Sequence, residues 1–589
     1  MNPMKLKRIT AAFLVLFIIL AALPVLSENA AASSVDSRFS MSPLSFLRAG
    51  QAKKKSGDTP VYASPAKGAA ELVRIPSGDS LEVVDEAGKY YRVRLPENGG
   101  FGYVPKSQLA VDSRVAEPAL RDALCDDLSL TEPAPFRKEE YLTLSGTIRT
   151  EEPVDTLILY VWDETLRKVE RTYVRQLDKP ASELSAGILD RAVPLNKISG
   201  GRKQIVVEGC GEKDTFVLFR SPAYISRELE EPEHITGRCG GVPGILKDGK
   251  VSTAWVPTAK KGALEITLPE DGHASLITLE WKVPSVSLNI TQLDENGGVI
   301  SEELKEERFY MRSVSLSDKT RKVILRPGDD DTCALSELRV YAEGFPGHAV
   351  QQWDPMPEKI DILLVSTHQD DEFLFFGGSI PYYSWRDDVT IGVLYMANCG
   401  RLRYREALNG LWCAGLKYHP LFLGLEDYLT YNFQEAAARW RSDEPEKLLT
   451  RVIRQYRPEV ILTQDFNGEY GHAQHEVTAQ LVADCLKLAE QEDFDPESVE
   501  SFGTWSVKKL YIHLYDQNTI RMDWEQPLED PVITPMFLAK EGFDKSKSQQ
   551  AYFSMERHGN LYDNHLFGLY YTSVGPDVQK NDFMENIPR

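Results

Sequence analysis

Ile362-Leu363-Leu364-Val365-Ser366-Thr367-His368-Gln369-Asp370-Asp371-Glu372 is the stretch that decides the fold. An aliphatic run of strand length ends abruptly in one imidazole and three carboxylates. The pattern recurs further along, where Val460-Ile461-Leu462 runs into Asp465-Phe466-Asn467-Gly468-Glu469-Tyr470-Gly471-His472-Ala473-Gln474-His475. Each polar cluster thus sits just past the carboxyl end of a predicted strand, the edge at which open α/β sheets bind ligands. Strands predicted at 362–366, 389–396, 420–423 and 460–463 alternate with helical segments at 401–414 and 446–456 and with a helix after His475. That alternation describes a parallel sheet with crossovers.

A lone His-x-Asp-Asp after a strand is ordinarily a solvated turn, and the second cluster is what turns the first into a site. Two imidazoles and one carboxylate complete a three-ligand zinc set whose fourth position stays open for water, whereas structural zinc takes four protein ligands. A second carboxylate beside the metal takes the proton as water attacks a carbonyl, which accounts for the paired Asp370 and Asp371. His475 falls in the first turn of a helix starting near Ala473, where the helix dipole disfavours imidazolium and keeps the ring neutral for a metal. His472, just before it, is placed to face a substrate.

At these residues the sequence resembles the PIG-L/LmbE-like zinc-dependent N-deacetylases, whose first motif reads His-Pro-Asp-Asp-Glu and whose second ends in His-Pro-Asp-His. The resemblance runs from Asp361 to the C-terminus and implies a Rossmann-like fold with Zn2+ held by His368, Asp371 and His475. It implies Asp370 as general base, His472 as the group that steadies the oxyanion or protonates the leaving amine, and Tyr470 as the carbonyl-polarising tyrosine. Arg403 matches the family's Arg-x-x-Glu helix and Asp427 its acidic residue after the next strand, both implied substrate contacts, with a surface salt bridge as the plain alternative for each. Two positions depart from the pattern. Gln369 replaces the family's proline, which loosens the turn but deletes no ligand. Gln474 replaces the aspartate that hydrogen-bonds the catalytic histidine, so His472 is expected to be a poorer proton donor.

The remaining chain speaks to where such chemistry is used. Lys5, Lys7 and Arg8 precede an apolar run from Ile9 to Leu26, and Ala30-Ala31-Ala32 offers a cleavage site, so residues 1–32 read as a secretory signal. The run is close to the minimum length for a spanning helix, which leaves an uncleaved membrane anchor as the alternative. The expected location is secreted or at the cell surface. With 589 residues, 42% hydrophobic and 26% charged, the chain is long enough for several domains. Its net charge of −21 argues against nucleic acid or anionic lipid as partner.

The fold class expected is a multidomain chain of all-β accessory modules followed by an α/β catalytic domain. After a polar linker at 33–57, short strands broken by Gly and Pro fill 58–112, and the closing Gly102-Tyr103-Val104-Pro105 resembles a bacterial SH3-like barrel. Such modules contact the cell wall, which makes peptidoglycan an implied partner and a ligand-free spacer the alternative. Residues 113–228 read as an immunoglobulin-like sandwich. Residues 229–345, with Leu246-Lys247-Asp248-Gly249, Thr253-Ala254-Trp255 and Leu335-Ser336-Glu337-Leu338-Arg339-Val340-Tyr341, resemble a discoidin-type, galactose-binding-like jelly roll, which implies carbohydrate binding; Trp255 is either a sugar platform or core. The catalytic domain is placed at 355–589.

Of seven cysteines, Cys239 and Cys333 lie where discoidin-type domains carry a disulfide, and Cys125 with Cys210 would bridge the preceding sandwich; none has CxxC spacing. The expected function is an exported zinc-dependent hydrolase that removes the N-acetyl group from an N-acetylglucosamine-type amino sugar in a cell-envelope or extracellular glycan. The accessory modules would raise local substrate concentration by tethering. The alternatives are a non-catalytic glycan-binding surface protein with a decayed catalytic domain, and a zinc amidase acting on another amide.

Overall fold

The computed structural model describes residues 39–42, 48–52, 58–95, 101–111, 128–131, 141–164, 168–189, 192–194, 198–211, 215–226, 234–237, 243–257, 262–269, 274–328, 331–344, 346–347, 349–528 and 533–588. The predicted signal segment, Cys125 and Cys239 lie outside them. Among the described residues no helix is long and apolar enough to cross a membrane. The chain divides into two units, residues 1–227 with 342–347, and residues 228–341 with 348–589.

The described residues of the first unit are mostly β. A seven-stranded sheet contains Glu71–Ile75, Thr59–Tyr62, Phe101–Pro105, Tyr90–Arg94, Ser80–Ala87, Arg48–Ala52 and Leu109–Val111 in that spatial order. Val61, Val83, Val93 and Val104 are fully buried in it, as period-two alternation requires. Gly102 is glycine for a reason of space, because a Cβ there would meet Cγ1 of Val61 at 2.3 Å. A five-stranded sheet follows, ordered Phe39–Ser42, Lys168–Ser185, Thr147–Asp163, Gly201–Gly211 and Thr215–Ile225. A three-stranded sheet of Val193–Pro194, Tyr141–Ser145 and Ser129–Thr131 shares its core. The stretch expected as linker, 33–57, therefore supplies a strand to each large sheet of this unit. Lys203 is fully buried, paired with Asp163 and, at 3.0 Å, with Glu170.

In the second unit a β-sandwich precedes an α/β sheet. One sandwich sheet has five strands, His234–Gly237, Leu264–Thr267, Lys322–Pro327, Leu288–Leu293 and Val299–Lys305, and the other has three, Met311–Ser315, Ala274–Val283 and Ala334–Ala342. Trp255 is a core residue, 1% exposed and bridged to Leu335, so it is no sugar platform. Cys333 is a buried free thiol, which corrects the disulfide implied for it; burial raises its pKa to about 12.

The α/β sheet is built from β1 (Ile362–Ser366), β2 (Ile391–Asn398), α1 (Arg401–Cys413), β3 (Leu421–Glu426), α2 (Pro445–Tyr456), β4 (Val460–Thr463), α3 (Ala473–Ala489), β5 (Lys509–His513), β6 (Thr519–Arg521) and β7 (Leu566–Thr572). The strand order is β3-β2-β1-β4-β5-β7-β6, parallel from β3 to β5 and antiparallel beyond. β1, β4 and β5 are buried at every position because helices cover both faces; β1 and β4 accordingly read as aliphatic runs, while β5 carries buried Lys509 and His513 at its two ends. The order reverses between β1 and β4, the switch point at which such sheets bind ligands. Both polar clusters of the sequence leave from those two strand ends. Phe567 and Phe583 in the aromatic C-terminal stretch are fully buried, so they pack rather than line a mouth.

Candidate active site

His368 and Asp371 follow β1 across a tight turn, and His475 lies in the first turn of α3, as its sequence position predicted. Nδ1 of His368 is 3.1 Å from Oδ2 of Asp371 and 3.0 Å from Nε2 of His475, and the last two atoms are 3.2 Å apart. Tetrahedral zinc with bonds of about 2.0–2.1 Å sets its donors roughly 3.3 Å apart, so this buried donor set fits the ion. Ligand-capable atoms of His368, His472 and His475 also lie within 4.8 Å of one another, but His472 stacks beside His368 with ring centroids at 4.8 Å. Asp371 is the closer third donor.

Burial opposes ionisation of Asp371, yet His475 and His368 hold its carboxyl well below the usual range. Burial likewise opposes charge on His475, and the Asp371 and Glu469 carboxylates nevertheless raise it to about 10. The two carboxylates thus outweigh the helix start expected to keep this ring neutral; without a metal they favour imidazolium, and the basicity they confer strengthens the ring as a ligand once a metal displaces its proton.

The partners of these residues include two that sequence reasoning missed. Glu469 accepts from Nδ1 of His475 at 2.5 Å, and burial of that carboxylate is outweighed by His475 and His513, which bring it down to about 2. Gln464 takes the Thr367 N–H at 2.7 Å on its oxygen and donates to Asp371 at 3.2 Å, tying the end of β4 to the first motif. The signals available were a glutamate inside the second cluster and a glutamine at the end of an apolar strand.

Asp370 has φ of 142°, a backbone conformation that costs about 1–3 kcal/mol outside glycine. Its N–H donates to Glu372 at 2.7 Å and its carboxylate is paired with Arg403. Burial pushes the Asp370 carboxyl up; the Arg403 guanidinium opposes this, and Asp371 and Glu372 add to it. Arg403, implied as a sugar contact, instead donates from Nε at 3.1 Å and from Nη2 at 2.5 Å to the Gln369 carbonyl. Gln369, in the family's proline position, holds the turn from its side chain by donating to the Ala397 carbonyl at 2.9 Å.

Gln474 does not address His472. Its oxygen lies 3.2 Å from Nε2 of His368, and its amide donates to the Glu426 carbonyl at 2.6 Å. His472 has the Tyr470 hydroxyl 3.3 Å from Nδ1. Burial first, then the nearby His368 and His475, lower His472 to about 3, while burial and the surrounding carboxylates push the Tyr470 phenol up. Asp427, at the exposed rim, has a carboxylate oxygen 3.6 Å from Nε2 of His368.

Residues 363–486 match the family described as GlcNAc-PI de-N-acetylase, and the C-terminal region carries this PIG-L domain. The chain is 29% identical over 186 residues to 1D-myo-inositol 2-acetamido-2-deoxy-alpha-D-glucopyranoside deacetylase 1 of Frankia casuarinae, covering 26% of this chain and 57% of the relative. It is 39% identical over 178 residues to the deacetylase of the same description from Thermomonospora curvata, covering 26% of this chain and 58% of the relative. The chain thus spans under two thirds of the length of these curated relatives. Among solved structures, N,N'-diacetylchitobiose deacetylase from Pyrococcus horikoshii aligns at 16% identity over 34% of this chain and 74% of that one, with a TM-score of 0.25.

Proposed function

We propose that the C-terminal domain is a zinc-dependent amide hydrolase that removes the acetyl group from an N-acetylated amino sugar, releasing acetate and free amine. The observation that carries this reading is the convergence of three buried donor atoms, on His368, Asp371 and His475, beneath Asp370, Tyr470 and His472. Zinc held by those three residues would supply Lewis-acid activation of water and of the acetamide carbonyl.

The chain's own groups do the rest. Asp370, whose carboxyl is raised by burial, is suited to take the proton of the attacking water and pass it to the leaving amine. Arg403 holds that carboxylate in place. Tyr470, protonated at all ordinary pH, donates to the carbonyl oxygen as negative charge develops there. His472, kept neutral by burial, has Nδ1 3.3 Å from the Tyr470 hydroxyl and, with the proton on Nδ1, orients the phenol through its oxygen, which leaves the phenol hydrogen for the carbonyl. Asp427 at the rim is placed to accept from a sugar hydroxyl.

The decayed-domain alternative is disfavoured because both glutamine side chains donate to backbone carbonyls and leave the donor set intact, although the buried Gln369 Oε1 has no hydrogen-bond partner. The Lys-rich start and apolar run of residues 1–26 support action outside the cytoplasm, on an envelope or extracellular glycan, with the module around Gly102-Tyr103-Val104-Pro105 as a candidate peptidoglycan contact. The test is zinc content of the purified chain together with acetate release from N-acetylglucosamine and its oligomers. About one zinc per chain and acetate release abolished in His475→Ala are expected. Zinc-free active protein would overturn the mechanism.

A further inference from the structure

The sandwich of the second unit is locked onto the α/β sheet and does not hang from it. Phe309 stacks on His419 with centroids 4.3 Å apart and 6° between planes, the Tyr310 N–H donates to Nε2 of His419 at 3.1 Å, and Arg405 pairs with Glu280 at 3.1 Å. Beside this joint lies a cleft of about 730 Å³, within the roughly 300–1,000 Å³ typical of ligand sites. One wall is β3, which among the described residues is an edge strand paired with β2; the other is the sandwich loop carrying Arg308 and Tyr310.

The cleft begins at the carboxyl edge of the sheet. Asn398, which lines it, follows Ala397, whose carbonyl takes the Gln369 amide. Gly424, also in the lining, precedes Asp427 on the same segment, and Asp427 lies 3.6 Å from His368. From there the lining continues down β3 toward His419 and Gln455.

We propose that this cleft binds the sugar residues flanking the acetylated one, so that the substrate is an oligomeric or polymeric N-acetylated glycan and the sandwich supplies one wall of its site. The inference rests on the deacetylase reading above and specifies its substrate class. Tyr310, Tyr404 and Phe422 form one aromatic cluster, with centroids 4.4–5.3 Å apart, in which buried Tyr404 backs the half-buried rings of Tyr310 and Phe422 that offer apolar surface to pyranose C–H faces. Exposed Arg308 and Gln455 provide donors for hydroxyl and acetamide oxygens, and exposed Glu306 an acceptor. A few placed polar groups on an aromatic lining are what fix orientation in a pocket of this kind.

The test compares kcat/KM for acetate release from N-acetylglucosamine and from its tetramer, in the full chain and in Arg308→Ala/Gln455→Ala. The full chain should favour the tetramer by at least about tenfold, and the variant should lose most of that ratio. Equal kcat/KM for both sugars, or an unchanged ratio in the variant, overturns the cleft assignment while leaving the hydrolase reading intact. Should no acetate appear from either sugar, calorimetric binding decides the cleft separately: tetramer bound by the full chain and at least about tenfold more weakly by the variant supports it, and no difference overturns it.

Discussion

Oε2 of Glu469 lies 2.5 Å from Nδ1 of His475 while Oε1 of the same carboxylate lies 3.1 Å from Nδ1 of His513. One fully buried anion thus fixes two imidazoles, and it turns Nε2 of His475 toward Asp371. Carboxylate partners of this sort are typically worth about 10–100-fold in metal affinity. Glu469→Gln is therefore expected to stay folded and to bind zinc about 10–100-fold more weakly in competition with a chelator. Wild-type affinity in that variant would refute the positioning role.

Arg403 spends its guanidinium on the Gln369 carbonyl and on Asp370. Its loss should damage the proton-transfer group rather than substrate affinity. Arg403→Ala is expected to lower kcat about 10²-fold or more with little change in KM for N-acetylglucosamine. A rise in KM at constant kcat would return Arg403 to the role of sugar contact.

Gln474 sits on His368, and this makes restoration of the family's aspartate informative. Gln474→Asp would put an anion beside Nε2 of His368, so zinc affinity should increase while the acid limb of the pH–rate profile stays in place. Movement of that limb without a change in zinc affinity would show the new carboxylate acting on His472 instead.

His419 gives the second unit a pH dependence of known sign. Burial lowers its imidazole to about 3, and the ring is held neutral with Nδ1 donating to the Pro420 carbonyl at 2.8 Å and Nε2 accepting from Tyr310. An unfolded chain protonates histidine near pH 6.5, so between about 6.5 and 3 the unfolded state holds the extra proton. The stability is complete above about 6.5 and is lost as pH falls, by up to about 1.4 kcal/mol per pH unit. Thermal unfolding from pH 7.5 to 5 should show this slope, and His419→Gln should flatten it.

In the first unit, Lys203 neutralises Asp163 and Glu170 in the interior of the five-stranded sheet. Lys203→Ala strands a buried carboxylate and should cost about 3–5 kcal/mol, read by denaturant unfolding. Replacing Asp163 together with Lys203 by apolar residues should recover much of that loss.

The parts of the structure that a local pattern determines were legible in the sequence. β1 and β4 begin and end where their aliphatic runs do, because burial on both faces leaves no room for polar alternation. The start of α3 at Ala473 and the pairing of His368 with His475 followed from those strand ends. The rest depended on contacts made across the chain. Phe39–Ser42 is too short a stretch to stand out from the Ser/Ala/Lys-rich run that reads as linker, and its strand exists because Lys168–Ser185 offers it an edge. The partner of Gln474 depends on which face of α3 it occupies, and that face meets His368 and the carbonyl of Glu426, a neighbour that spacing within the motif does not encode.

The stacked pair of Phe309 and His419 also bears on where this chain tolerates being cut. Phe309 belongs to the same apolar interior as Phe373, Leu411 and Tyr511, although the catalytic-domain boundary expected from the sequence, at 355, invites separation there. A fragment starting at that boundary would bare His419, Phe422 and Tyr404 to water and lose a piece of its own interior. The smallest fragment that keeps its interior covered therefore retains the sandwich, and a soluble catalytic fragment has to start before Phe309 rather than after it.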